Sequence, residues 1–336
     1  MSKKSIETFC EKIREKLGVA ECRSFSGRVE AMTALFDAIE LGAKDCVYIS
    51  ALAPGYIVKA ILACGAVPVF CDIVADSFTM DHRWLEYSVK QTINVDRLYP
   101  RAVIADDFCG MPFSFRAVRD VCDRMGMLLI EDCQSGPGGS WDGTPCGALG
   151  DYSVVSLGQS SVFGTGGSGC LVTAGIPGDL LVHTESCDGC GFQTADEMYA
   201  GGLLKSCDSI SDTLEAAAAA HADITRVLKE SDFWLQRGSG RQKSSCAGTV
   251  MIAQDEAHCQ AAFASFQQAG LSRFARILHV HRRACFEHGC RGFKTIENAS
   301  ALAPRSIAVD IFGAINAGRL DDLTARLWYI ADNIHA

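Results

Sequence analysis

The sequence predicts an α/β protein built on a mostly parallel sheet, followed by a smaller C-terminal α+β domain. Short apolar, β-branched runs recur at 46–52, 66–73, 101–108, 127–133, 151–157 and 169–175. Helical stretches such as PGYIVKAILACG and SFRAVRDVCDRMG lie between the earlier runs, and each closes on glycine, as helix ends often do. Strands that are apolar along their whole length and alternate with helices belong to a parallel sheet covered on both faces.

The remaining elements follow in chain order. The opening MSKKSIETFCEKIREKLGV reads as an amphipathic, charged helix, because no apolar stretch follows its lysines. Residues 184–210 are rich in Gly, Cys and Ser and read as loop. An alanine-rich helix is expected over about 211–231, capped by Ser211 or Asp212. From about 244 the texture changes: CAGTVMIAQD reads as a strand, EAHCQAAFASFQQAG as a helix, RSIAVDIF as a strand and LDDLTARLWYIADNIHA as a C-terminal helix. This order divides the chain into a large domain over 1–235 and a small one over 236–336.

Composition narrows the function classes. A net charge of −9 over 336 residues, without a dense Lys/Arg run, argues against a nucleic-acid surface. No window approaches the ~18 apolar residues of a membrane span, so a cytoplasmic protein is expected. The seventeen cysteines are then expected as reduced thiols, several of them small core residues. Cys187 and Cys190 form a CxxC, but there is no second one. Cys285, His288 and Cys290 would join them only if the fold brought them close, and no metal is expected. His258, His279, His281 and His288 are assigned no catalytic role.

Open α/β sheets bind ligands at the carboxyl ends of their strands. Two such ends carry chemistry here. In LLIEDCQSGPGG, Glu131 and Asp132 close a very apolar strand; Asp132 either meets a cationic ligand atom or caps a neighbouring helix. In DYSVVSLGQSSVFGTGGSG, a strand leads into the turn Gln159-Ser160-Ser161.

Around these residues the sequence resembles the DegT/DnrJ/EryC1/StrS family of sugar aminotransferases. Gly110-Met-Pro112, Glu131-Asp132, Gly143, Gly147-Ala-Leu-Gly-Asp151 and Ser156-Leu157 match the order of the family's motifs. GAKDCVYISALAPGYIVKAILACGAVPVFCDI upstream and QAAFASFQQAGLSRFARILHVH downstream extend the likeness over nearly the whole chain. The resemblance implies a fold type I architecture that binds pyridoxal phosphate (PLP), and a homodimer whose active sites are shared between subunits.

It also implies a role for each pocket position. Transamination needs a lysine amine for the internal aldimine. The family's lysine falls on Ser161, and a shift of one residue reaches only Ser160 or Val162. The closest lysines in sequence are Lys90 and Lys205. Asp132 stands where the family's acid pairs with the pyridinium nitrogen, and Ser156 where a serine touches the cofactor phosphate. Ser135 replaces a glutamine, with Gln134 beside it. The Gly-Thr that cradles the phosphate corresponds to Arg28-Val29, with Gly27 one residue early, and the stacking aromatic to Pro54, with Tyr56 two residues on. Arg28 either helps bind an anion or, the favoured reading, fills the phosphate site or pairs with a surface acid. The segment YAGGLLKSCDSIS, which family members use across the dimer, lacks the usual Asn and Arg and offers Lys205.

Transamination by the usual route is therefore not expected. The first reading is a non-catalytic family member, a scaffold or partner for an active relative. The second is a lysine-free enzyme that holds PLP or its amine form (PMP) non-covalently and acts on a nucleotide sugar. The third is a module binding a nucleotide sugar or small anion in a cleft with Asp132, Ser135, Ser156, Ser160 and Ser161.

Overall fold

A computed structural model of the chain describes residues 3–164, 169–175, 197–229, 231–270, 273–277, 289–292, 296–323 and 325. Helix α1 (Lys3–Leu17) leads into β1 (Glu21–Phe25), α2 (Arg28–Ala38), β2 (Asp45–Ser50), α3 (Gly55–Ala63) and β3 (Val67–Cys71). Helix α4 (His82–Gln91) then precedes β4 (Tyr99–Asp106), α5 (Phe115–Met125) and β5 (Leu128–Cys133). The short β6 (Ser140–Trp141) and β7 (Thr144–Pro145) separate β5 from β8 (Tyr152–Ser156) and β9 (Cys170–Ala174).

The second half holds α6 (Glu197–Asp208), α7 (Ile210–Leu228), β10 (Trp234–Leu235), β11 (Gln242–Lys243), β12 (Gly248–Ile252) and α8 (Glu256–Gln268). It continues through β13 (Phe274–Arg276), β14 (Arg291–Gly292), α9 (Glu297–Leu302), β15 (Ser306–Asp310) and α10 (Ile311–Asn316). No described helix is long and apolar enough to cross a membrane.

The large sheet has eight strands in the order β1-β9-β8-β5-β4-β2-β3-β14. Only β9 runs against its neighbours, pairing antiparallel with both β8 and β1. A four-stranded antiparallel sheet, β10-β12-β15-β13, follows in the second half. Residues from that half also return to the large sheet: Arg291–Gly292 pair with Val69–Phe70. Beside them Asp72, fully buried, accepts from the backbone N–H groups of Asn298 (2.8 Å) and Ala299 (2.9 Å) at the start of α9.

Two apolar cores lie on the two faces of the large sheet. Leu35, Ile57, Ile104, Ile130, Val154 and Val172 pack with α2 and α3 on one face. Phe9, Val103, Val121, Leu129, Val155 and Leu171 pack with α1 and α5 on the other. Helix α1 is amphipathic as expected, burying Ile6, Phe9, Cys10 and Ile13 while Glu7, Glu11 and Glu15 are exposed.

One expected element differs. Residues 197–208, expected as loop, form α6. Their glycines argue against a helix in isolation, but Leu203 is fully buried and Leu204 and Cys207 pack on the core that holds α1. Tertiary burial here outweighs a propensity penalty of about 1 kcal/mol per glycine. The alanine-rich helix accordingly starts at Ile210, after Ser209, and neither Ser211 nor Asp212 caps it. Cys187, Cys190, Cys285, His279, His281 and His288 lie outside the described residues, as does most of the expected C-terminal helix.

The Gly-Asp that ends the motif at 147–151 has a structural task. Asp151 receives Arg119 Nη1 and Nη2 at 2.7 and 2.8 Å and the Leu129 N–H at 2.7 Å. It thereby clamps α5 to the start of β5 while only partly exposed. Asp151→Ala strands both donors, and a loss of about 2–3 kcal/mol is expected, read as a lower urea midpoint with an unchanged slope.

Candidate functional site

Side chains alternate between faces along a strand, and that rule sorts the acids at the sheet's carboxyl end. Asp106 pairs with Asp132, and Asp132 with Val154. Val154 lies in the core under α2 and α3, as does Cys170, the partner of Ser156. Asp106, Asp132 and Ser156 therefore face α2 and α3, and Asp107 and Glu131 face the opposite side.

On the α2 side Asp132 is 2% exposed. The Tyr56 hydroxyl reaches its Oδ2 at 3.5 Å, and its Oδ1 has no hydrogen-bond partner. No helix N–H donates to it among the described residues, so it does not act as a cap. The Arg28 guanidinium lies over the Tyr56 ring, 5.0 Å from its centre, within the range of a cation–π contact. It forms no ion pair among the described residues, and its buried Nη1 lacks a hydrogen-bond partner. Gly27 precedes it at the N-cap of α2, where the Cys170 thiol donates to the Gly27 carbonyl at 3.2 Å.

Burial pushes the Asp132 carboxyl up to about 6, with the Arg28 charge and the Tyr56 hydrogen bond pulling it back down. Asp106 is pushed up to about 7 by burial and then by the charge of Asp132. Burial also raises the Tyr56 phenol, as does the charge of Asp132. These are the three causes by which proteins move a pKa: desolvation, neighbouring charge and hydrogen bonding.

The serine turn is held from several directions. Ser161 is fully buried, and its Oγ accepts the Phe163 N–H at 3.2 Å. Asn316 Nδ2 donates to the carbonyls of Gln159 (2.7 Å) and Ser161 (2.9 Å). The Phe163 ring meets Phe9 of α1 edge-on at 5.6 Å. Ser160 turns away from Ser161 and donates to Asp310 Oδ2 at 2.7 Å, an oxygen that also lies 3.6 Å from Arg273 Nη1. Ser156 Oγ accepts the Gly158 N–H at 3.2 Å.

The expected site residues thus fall into groups. Asp132, Tyr56 and Arg28 meet one another. Ser135 and Ser160 line a cavity of about 280 Å³ together with Cys109, Arg273 and Asp310. Ser161 is packed beneath. The sequence reading passed over Asp106, although it closes an apolar strand as Asp132 does. It also passed over Asp310 and Asn316, which reach the turn from 150 or more residues away and leave no local signal.

PLP fits this pocket in part. The orphaned Asp132 Oδ1 suits a pyridinium N–H, whereas Ser161 offers no amine and its oxygen already accepts the Phe163 N–H. Covalent attachment at this position does not fit.

Two outcomes follow from this geometry. Asn316→Ala removes both bonds to the turn, and a stability loss of about 1–2 kcal/mol is expected, with faster amide exchange confined to 159–164. Asp106 is more basic folded than unfolded, so its contribution to stability is present at low pH and lost as pH rises through about 7. In EDTA-containing buffer Asp106 should account for a loss of about 2 kcal/mol between pH 5 and pH 8, and Asp106→Asn should remove that part of the profile in denaturant titrations.

Comparison with known proteins places these features. The sequence model described as the DegT/DnrJ/EryC1/StrS aminotransferase family matches residues 1–176. GDP-perosamine synthase of Vibrio cholerae is 29% identical over 170 residues, which is 51% of this chain and 44% of that protein. The chain thus covers less than half the length of that curated relative. A DegT DnrJ EryC1 StrS aminotransferase from Brucella abortus superposes with a TM-score of 0.86 at 20% identity, covering 99% of this chain and 90% of that one. A putative sugar aminotransferase from Streptococcus pneumoniae, in PMP form, gives 0.83 at 14% identity, with 98% and 91% covered. The architecture is fold type I, and the chain belongs to the DegT/DnrJ/EryC1/StrS aminotransferase family.

Proposed function

We propose that this chain is a sugar-related member of the family that does not transaminate through an internal aldimine. The observation that carries this reading is Ser161: it occupies the position that the resemblance gives to the lysine, is fully buried, and has its hydroxyl committed to the Phe163 N–H. A hydroxyl cannot form the Schiff base that such chemistry needs. Arg28 over Tyr56 supports the same reading, because a side chain then fills space beside Asp132. In this reading the chain is a cytoplasmic homodimer, acting as scaffold or partner for an active relative. Its polar cleft suits a nucleotide sugar or another small, hydroxyl-rich anion.

A second reading is favoured by one atom. Asp132 Oδ1 is buried and unpartnered, and a pyridinium N–H would satisfy it. That points to non-covalent PLP or PMP and a lysine-free reaction on a nucleotide sugar.

Incubation with PLP, desalting, borohydride reduction and intact mass tests both. An unchanged mass and no retained absorption are expected. A retained band without an adduct supports the lysine-free enzyme, and a reduced adduct on a native lysine overturns the assignment of Ser161. Ser161→Lys should gain a reducible adduct if the rest of the pocket accepts the cofactor, read by the same mass measurement.

A further inference from the structure

The face of the sheet opposite Arg28 carries a second cluster at the same strand ends. Asp107 follows β4, Glu131 and Cys133 lie on β5, and Cys146 follows β7. Carboxylate oxygens of Asp107 and Glu131 and the Cys146 Sγ all lie within 4.8 Å of one another. All four residues are at most 2% exposed. Cys133 borders the same space: a Cβ built on Gly136 would meet Asp107 Oδ2 at 2.1 Å and Cys133 Sγ at 2.8 Å. The Gly136 backbone therefore closes over the cluster.

The two carboxylates are treated differently by their surroundings. Glu131 accepts from the N–H groups of Gly147 (2.8 Å) and Leu149 (3.0 Å) and from Ser153 Oγ (2.5 Å). Gly147 makes its bond with φ at +93°, where an L side chain would be strained. Asp107, by contrast, has no backbone or hydroxyl donor at either oxygen, and faces Glu131 and the Cys133 and Cys146 thiols instead.

A buried carboxylate without donors is costly unless a positive charge or a proton joins it. The neighbours select between those two. A proton would need one acceptor, and Glu131 suffices. The cluster adds the Cys146 sulfur to the carboxylate oxygens, with Cys133 at its border, a mixed S/O set that suits Zn²⁺. We propose that Asp107, Glu131 and Cys146 bind one zinc ion, with Cys133 beside it.

Burial pushes the Asp107 carboxyl and both thiols well up, so the zinc-free cluster keeps protons that the ion displaces to solvent. Such an ion ties the ends of β4 and β5 to the loop that carries Gly147. It leaves the Asp132 side of the sheet free for a ligand.

The test uses full-length protein prepared without a metal-affinity step. Elemental analysis should find one zinc per chain, and Co²⁺ exchanged into the site should show thiolate-to-cobalt charge-transfer absorption. Asp107→Asn keeps the side-chain shape and removes a buried acid, so it should fold; Cys146→Ser is the second variant. Both should weaken zinc binding more than about tenfold in competition with a chromophoric chelator. Unchanged affinity in either folded variant overturns the proposal, because the metal then sits on other thiols. A wild-type chain that takes up no zinc, or whose cobalt form lacks the thiolate band, overturns it without reference to any variant.

Discussion

The pleat of two neighbouring strands governs most of what this molecule can do. Because β4 and β5 pair in register, Asp106 lies beside Asp132, and the adjoining Asp107 and Glu131 face the other way. Four acids at one sheet end would repel strongly if they shared a face. Alternation places two on each side, and each side solves its problem differently. Toward α2 an arginine and a tyrosine approach Asp132. Away from α2, three donors hold Glu131 and sulfur surrounds Asp107.

Ser161 is a packed residue rather than a deletion in a pocket. The turn that carries it is anchored by Phe163 in the core, by Asn316 from α10, and by Ser160 on Asp310. These ties make the turn part of the joint between the two sheets. The turn serves this chain as a fastening.

Most of the large sheet was legible in the sequence. β-Branched runs such as VVS in β8 and LVT in β9 are apolar along their length, and burial on both faces demands that. Helix α6 was not legible, since Gly201 and Gly202 obscure a segment whose helicity comes from Leu203 meeting α1. Within the candidate site, Asp132, Ser156 and Ser161 stand out in the sequence because local motifs surround them. Asp310 could not, because its tie to Ser160 spans 150 residues and exists only once the fold has formed. The Asp107 cluster escaped for a related reason: its members sit at 107, 131, 133 and 146, a spacing set by strand register rather than by a linear metal motif.

The short return of Arg291–Gly292 to the edge of β3 bears on how the chain can be divided. Strand β3 is an edge only until this segment arrives, and Asp72 at its end is buried with its charge met by the start of α9. A fragment stopping after α7 would hold every other strand of the large sheet. It would also present an open parallel edge and a carboxylate left with only the Ile73 N–H of its three donors, the combination that invites strand-to-strand association. The two halves of this polypeptide therefore share the finishing of one sheet edge.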